Sequence, residues 1–356
     1  MAQGAVTQLS DDHPTPHDHW RALALILSFL CLLSGSTPGL SAEPDLLRIG
    51  TGGSAGTYFQ IGSLIAESVS DYGGNGNSAP YRVPDLLAIA QRSSGSVSNI
   101  QEIEEGLLEA GLAQADVSHW AFYGQGPFTT ETRKLKLRTV ATLYLESLHL
   151  VVRNGSDITS VNDLIGRRVG LDEAGSGTLL EVLPLLSAHK IAIADIKPVY
   201  LKLSDAIDRL REDRLDAFFI VAGYPVAAIA KLTNEGHATV ISINGTAIKN
   251  MLPKYPFITT DSIPVGTYSN MAEIVTLAVA AQLIVSAELD ADLVYAITGM
   301  LWSEKTLEHL AKGHPKGRQL RLETALLGNT VPVHEGAIKY YMEVGLTLGG
   351  VSVPVY

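Results

Sequence analysis

LLRIGTGGSAGTYFQIGSLIAE, residues 46–67, is the stretch that decides the fold. A short apolar strand, Leu46–Gly50, runs into a loop with glycines at Gly50, Gly52, Gly53 and Gly56. The spacing of Tyr58, Ile61, Ile65 and Val69 then predicts a helix over 58–70 with one apolar face. Glycines let the backbone turn sharply, and the first turn of a helix presents N–H groups with no intrahelical acceptor. With the helix dipole, such a turn seats an anion, phosphate or carboxylate.

The same alternation continues outward. Leu86–Ala90 reads as a strand, a second loop follows at Arg92–Ser96, and Asn99–Ala110 reads as a helix with Gly111 as its C-cap. The loop Asp71–Asn77 separates the first two units. Short strands are expected at Gly111–Asp116, Thr139–Tyr144 and His149–Arg153. Ser160-Val161-Asn162-Asp163 looks like a capping box. Strand Arg168–Leu171 leads into another glycine loop, Ala174–Thr178, and a helix from near Leu179 in which Pro184 predicts a kink. Ser204 or Asp205 caps the helix through Leu210, Leu215–Val221 is a buried strand of the parallel kind, Val240–Ile243 is another strand, and the tail from Glu288 is mostly helical. Strand, Gly/Ser-rich loop and helix start thus recur in both halves. Two α/β lobes would aim their helix starts at a shared cleft, where ligands of open α/β sheets sit.

The chain has 356 residues, enough for two domains, and 46% hydrophobic with 18% charged residues describes a globular protein. A net charge of −11 without a basic stripe argues against nucleic acid as a partner. Ala22–Leu33 is too short to span a bilayer comfortably but fits a signal h-region, with Leu40-Ser41-Ala42 as a cleavage site before Glu43. Its n-region is long, with Arg21 its one strong base and Asp11, Asp12 and Asp18 beside it, so an uncleaved anchor or a downstream start stays open. The only cysteine, Cys31, falls in that run, which leaves the mature chain without disulfides or cysteine chemistry. His13, His17 and His19 with two aspartates could bind a metal, but a removed tail explains them too; no metal or cofactor is expected.

Two enzyme motifs overlie the first loop. Gly50-Thr51-Gly52-Gly53-Ser54-Ala55 fits a dinucleotide fingerprint, with Asp71 about twenty residues on, yet Asp71 ends a helix rather than a second strand. Gly52-Gly53-Ser54-Ala55-Gly56 fits the nucleophile elbow of a serine hydrolase. The elbow would then be the first element of the mature chain, with no earlier strands and no oxyanion loop, and His149, His237, His309 and His334 sit in no distinctive context. Amides that bind an anion without chemistry need only what is present.

Seven segments carry a family resemblance in order: IGTGGSAGTYFQIG (49–62), SSGSVSNI (93–100), AQAD (113–116), TLYLESLHLVV (142–152), GSGT (175–178), LDAFFIVAGYP (215–225) and IPVGTY (263–268). They span nearly the whole mature chain, which resembles the TAXI type of solute-binding protein that serves TRAP (tripartite, ATP-independent, periplasmic) transporters. The resemblance implies a two-lobed type II periplasmic binding protein fold with a central cleft and crossovers near Tyr144–Leu150 and Val275–Leu283. It implies residues 1–42 as signal peptide, 43–146 and 277–356 as one lobe, and 147–276 as the other. It further implies a periplasmic monomer, not an enzyme, that captures a small organic acid, a glutamate-like amino acid or a dicarboxylate, and delivers it to a TRAP-type permease. A ligand sensor for a signalling partner is the alternative.

Carried over by position, Ser54, Gly56, Thr57 and Tyr58 would line the first lobe's share of the cleft, joined by Gly95, Ser96, Gln114 and Asp116. Ser176, Gly177, Thr178 and the Gly223-Tyr224 corner would come from the second lobe. Arg92, beside the second loop, could clamp a carboxylate, and Glu146 could receive an ammonium group. Blander roles remain for each: helix caps for Ser54, Ser96, Ser176 and Asp116, core aromatics for Tyr58 and Tyr224, solvation for Arg92, hinge packing for Glu146.

Overall fold

The computed structural model describes Met1 and residues 46–73, 80–129 and 133–346; the apolar run 22–33, Cys31, the cleavage site at 40–42 and the histidines at 13, 17 and 19 lie outside them. Strand β1 (Leu46–Gly50) feeds helix α1 (Thr57–Gly73), whose buried face carries Tyr58, Ile61, Ile65 and Val69 as the 3.6-residue spacing requires. The helix continues through Asp71, where a loop is expected from the sequence.

Strand β2 (Leu87–Gln91) pairs parallel with β1, and helix α2 (Ser96–Glu104) follows. It ends earlier than its apolar pattern predicts. Gly106 takes φ 75° one residue past the C-cap Glu105, a left-handed turn that stops the helix. Gly111, the expected cap, is instead inside strand β3 (Ala110–Gln114). Helix α3 (Ala115–Tyr123) begins at once and takes Asp116 into its first turn, so the strand expected to reach Asp116 stops short of it.

The largest departure is strand β4 (Leu137–Arg153), one 17-residue strand where two short ones are expected. Leu145-Glu146-Ser147 looks like a break in the apolar pattern, but Glu146 and Ser147 are buried and the ladder runs through them. Strand β5 (Arg168–Gly170), helix α4 (Gly177–Ala188, with Pro184 inside it), strand β6 (Lys197–Val199) and helix α5 (Leu203–Arg211) follow. The capping box at Ser160 and Asp163 closes a short 3-10 turn, Val161–Leu164. Lys202, not Ser204 or Asp205, holds the N-cap position of α5, and its side chain makes no capping bond. Strand β7 (Ala217–Ala222) is fully buried, pairing parallel with β5 and antiparallel with β4. Helix α6 (Ala227–Asn234), strand β8 (Ala238–Ile241), helix α7 (Thr246–Met251), and strands β9 (Ile258–Ile263) and β10 (Ile274–Ser286) complete the middle of the chain. Helices α8 (Ala291–Leu301), α9 (Glu304–Gly313) and α10 (Glu335–Glu343) make the mostly helical tail.

The fold is α/β, built on one mixed sheet of order β2-β1-β3-β10-β4-β7-β5-β6, with β8 added on β4 and β9 on β10. Strands β4 and β10 run antiparallel through its centre. β10 pairs with β9 over Ile274–Val279 and with β3 over Ala281–Val285, while β4 takes β7 as a neighbour from Ser147 onward. One apolar cluster accordingly gathers residues from 47–144 and 281–341. Two others draw on residues 148–280, with Ala115 the one member from outside that range. Among the described residues no helix is long and apolar enough to cross a membrane.

Candidate ligand-binding site

The segments that follow β1, β2, β5 and β6, with the end of β7 itself, converge on a cavity of about 470 Å³, a volume typical of small-molecule sites. Ser54, Gly56, Thr57 and Tyr58 line it from the start of α1, Arg92, Gly95 and Ser96 from the loop before α2, and Gln114 and Glu146 from β3 and β4. Ser176, Gly177 and Thr178 line it from the start of α4. Both glycine loops therefore face one space. Asp116, Gly223 and Tyr224 stand outside its wall. Sequence reasoning missed Glu102, Asp172, Glu173 and Lys202, which are also on the wall and belong to no motif.

The helix starts differ in what they have free. Gly175 O accepts from both Val97 N (3.1 Å) and Ser98 N (3.2 Å), so the first turn of α2 is already capped by the loop before α4. Two of the amides at that helix start are therefore already bonded within the chain. Ser96 Oγ accepts from Gln114 N, tying α2 to β3. Ser176 is the N-cap of α4 and accepts from Leu179 N at 3.2 Å, the helix-cap role. Thr178 Oγ1 accepts from Val221 N. The starts of α1 and α4 both line the cavity, and helix starts of this kind leave first-turn amides without intrahelical acceptors. Arg92 and Lys202 are exposed at the rim and form no ion pair among the described residues.

Three buried acids gather at and behind the wall, with Glu146 on it and Asp116 and Glu181 outside it. Glu146 is 1% exposed, and its Oε1 accepts a 2.5 Å hydrogen bond from the Tyr58 hydroxyl. Burial pushes its carboxyl up to about 8, the neighbouring Asp116 charge adds to the rise, and the Tyr58 bond and Lys316 oppose it. Asp116 is also fully buried; its Oδ1 accepts from Val117 N within the first turn of α3, and Oδ2 has no partner among the described residues. Burial raises it to about 7. Glu181, on α4, has no partner at either oxygen, and burial beside Asp116 and Glu146 raises it well above the ordinary carboxylate range. A lone acid on the apolar face of 177–188 was the sequence signal for Glu181.

Lys316 approaches from the tail. It is 1% exposed, its Nζ lies 3.7 Å from the centroid of the Tyr224 ring, and it donates to Gln319 Oε1 at 3.2 Å. Thr57 Oγ1 donates to Gly223 O at 2.8 Å. Gly223 and Tyr224 are thus gripped by Thr57 and Lys316 behind the wall. Burial lowers the Lys316 ammonium to about 8, against the pull of Asp261 and Glu146.

The nucleophile-elbow serine, Ser54, is exposed on the loop. None of the four histidines considered as its base lines the cavity. His149 is buried between Ser147 O and the Tyr268 hydroxyl, His309 bonds Glu67, and His334 caps α10. Arg153 pairs with Asp213 and Asp216 at the end of β4, as a surface charge should. Among the described residues no group of three or more His, Cys, Asp or Glu side chains is arranged to hold a metal ion.

Residues 49–345 match the NMT1-like family. Among solved structures, a protein of Bordetella bronchiseptica RB50 is similar at 19% identity and a TM-score of 0.51, over 87% of this chain and 85% of that one; at that identity the likeness is one of fold. The periplasmic aliphatic sulphonate binding protein SsuA of Escherichia coli matches at 17% identity and a TM-score of 0.41, over 84% of this chain and 83% of that one.

Proposed function

The chain belongs to the NMT1-like family, and from that premise we propose that it is a periplasmic solute receptor. It captures a small organic acid, a glutamate-like amino acid or a dicarboxylate, and delivers it to a TRAP-type membrane permease. In this reading residues 1–42 are an export signal, 43–146 with 277–356 form one lobe, and 147–276 form the other. The protein acts as a monomer, without catalysis.

One observation carries the proposal. A cavity of small-molecule size is lined by the start of α1, from the first half of the described chain, together with the start of α4, about 120 residues on, and the exposed Arg92 and Lys202 line it too. A carboxylate held by both helix starts favours the state in which they face each other, which is the conformational logic of capture. The TAXI resemblance supports the permease as destination. A sensing role fits the same cavity, with a signalling protein in place of the permease.

The test is mass spectrometry of small molecules released from protein purified out of the periplasm of an expressing cell. A carboxylic acid present at near one per chain is the expected result. A neutral sugar or a metal ion in its place would overturn the organic-acid reading. Recovery of the uncleaved chain in the cytoplasm alone would overturn export.

A further inference from the structure

The acid-binding reading leaves the inner wall unexplained. Glu146 faces the cavity while almost wholly buried, and its one hydrogen bond among the described residues comes from Tyr58. No lysine or arginine of the described residues stands within ion-pair distance of it. Gln114, 3% exposed and on the same wall, has Oε1 without a partner, and the buried Tyr144 hydroxyl is likewise unpartnered. Two acceptors on the lining, Glu146 Oε2 and Gln114 Oε1, thus have no hydrogen-bond donor among the described residues. Four acidic side chains, Glu102, Glu146, Asp172 and Glu173, line the cavity against two basic ones, and both bases are exposed.

We propose that the bound acid carries a basic nitrogen, and that Glu146 with Gln114 Oε1 forms the seat of its ammonium group. Building on the receptor reading, this narrows the ligand to an α-amino acid rather than a dicarboxylate. The carboxylate takes the amides at the start of α1, and the ammonium, a few ångströms away on the same ligand, takes Glu146. Ionising a buried carboxyl with no cation beside it is unfavourable, and a ligand ammonium supplies the missing partner. A second carboxylate at the same point would supply no cation for Glu146, and Asp116 and Glu181 lie close by it.

The charged and titratable groups around Glu146 are Tyr58 from α1, Tyr144 from its own strand, Asp116 from α3, Glu181 from α4, and Lys316 from the tail. Burial keeps the Glu146 carboxyl protonated near neutral pH. Docking of an ammonium group therefore releases a proton.

The experiment compares the twenty L-amino acids with succinate, glutarate and 2-oxoglutarate by thermal shift and calorimetry. Each binder is measured in two buffers of different ionisation enthalpy. Glu146→Gln, an isosteric change, and Tyr58→Phe are run beside the wild type, with circular dichroism to confirm folding. The expected result is stabilisation by at least one amino acid, none by the oxo acid or dicarboxylates, and proton release on binding. Glu146→Gln should weaken that binding at least tenfold and abolish the proton release. Equal or tighter binding of 2-oxoglutarate, or unchanged amino-acid affinity in a folded Glu146→Gln protein, would overturn the proposal. A co-purified acid without a basic nitrogen would keep the receptor reading and overturn this one. No small acid bound under any condition would overturn both.

Discussion

The Tyr58 hydroxyl donates a 2.5 Å hydrogen bond to Glu146 Oε1, joining the first turn of α1 to the middle of β4. Both groups are buried, and the bond is the main force holding the carboxyl down against burial, which still pushes it to about 8 from the ordinary 4.5.

That shift has a sign that can be measured. Between about 4.5 and about 8 the folded chain keeps a proton on Glu146 that the unfolded chain has released. Unfolding free energy should therefore fall as pH rises through that window. Glu146→Gln cannot ionise and should flatten the fall. Urea midpoints at pH 5, 6.5 and 8 would show it. A glutamine protein with the wild-type slope would assign the pH dependence elsewhere.

Asp216 runs the opposite way. Arg168 bonds it through Nη2 at 2.7 Å, through Nε at 3.0 Å and through its backbone N at 2.9 Å. These bonds hold the Asp216 carboxyl at about 2, below its ordinary 3.8. The stability they contribute is present above the unfolded value and is lost as pH falls towards 2. Asp216→Asn should cost about 1 kcal/mol at pH 7, since solvent screens the Arg168 side, and next to nothing at pH 2. Equal destabilisation at both pH values would point to lost packing instead.

Gly223 is hemmed in where Thr57 and Lys316 grip the chain. A Cβ there would lie 2.7 Å from Lys316 Cγ, 3.0 Å from Thr57 Cγ2 and 3.1 Å from Tyr144 Cε2. Gly223→Ala should lower stability by roughly 1–3 kcal/mol, the range for overpacking. Gly53, with nothing within 4 Å of its Cβ position, is the control. Gly53→Ala should change stability by less than about 0.5 kcal/mol. Chemical denaturation ranks the two, and the reverse order would contradict the packing described here.

At Gly177 the crowding involves the cavity itself. A Cβ would collide with the Gln114 side-chain amide, the far end of a flexible side chain. Gly177→Ala should thus leave the melting temperature nearly unchanged while weakening amino-acid binding about tenfold, or 1.4 kcal/mol. Calorimetry showing unchanged affinity would remove Gln114 from the site.

The sequence by itself determined the local units. Apolar periodicity placed β1, the buried face of α1, the strand around 168–170 and the glycine loops at 50–56 and 175–178, because residues a few positions apart write the period of a helix or a strand directly into the chain. Of the fifteen site candidates named from the sequence, twelve come to line the cavity. Tertiary structure decided the rest. Glu146 looked like a gap between two strands, but pairing with β10 carries β4 straight through it. The loop before α2 and the loop before α4 read as separate units, but Gly175, some eighty residues on, accepts from Val97 N and Ser98 N and joins them. Lys316 belongs to no motif and matters only because the tail folds back onto Tyr224. In each case the deciding partner is remote in sequence. Burial and pairing at that distance follow from how the sheet closes, and no local pattern encodes them.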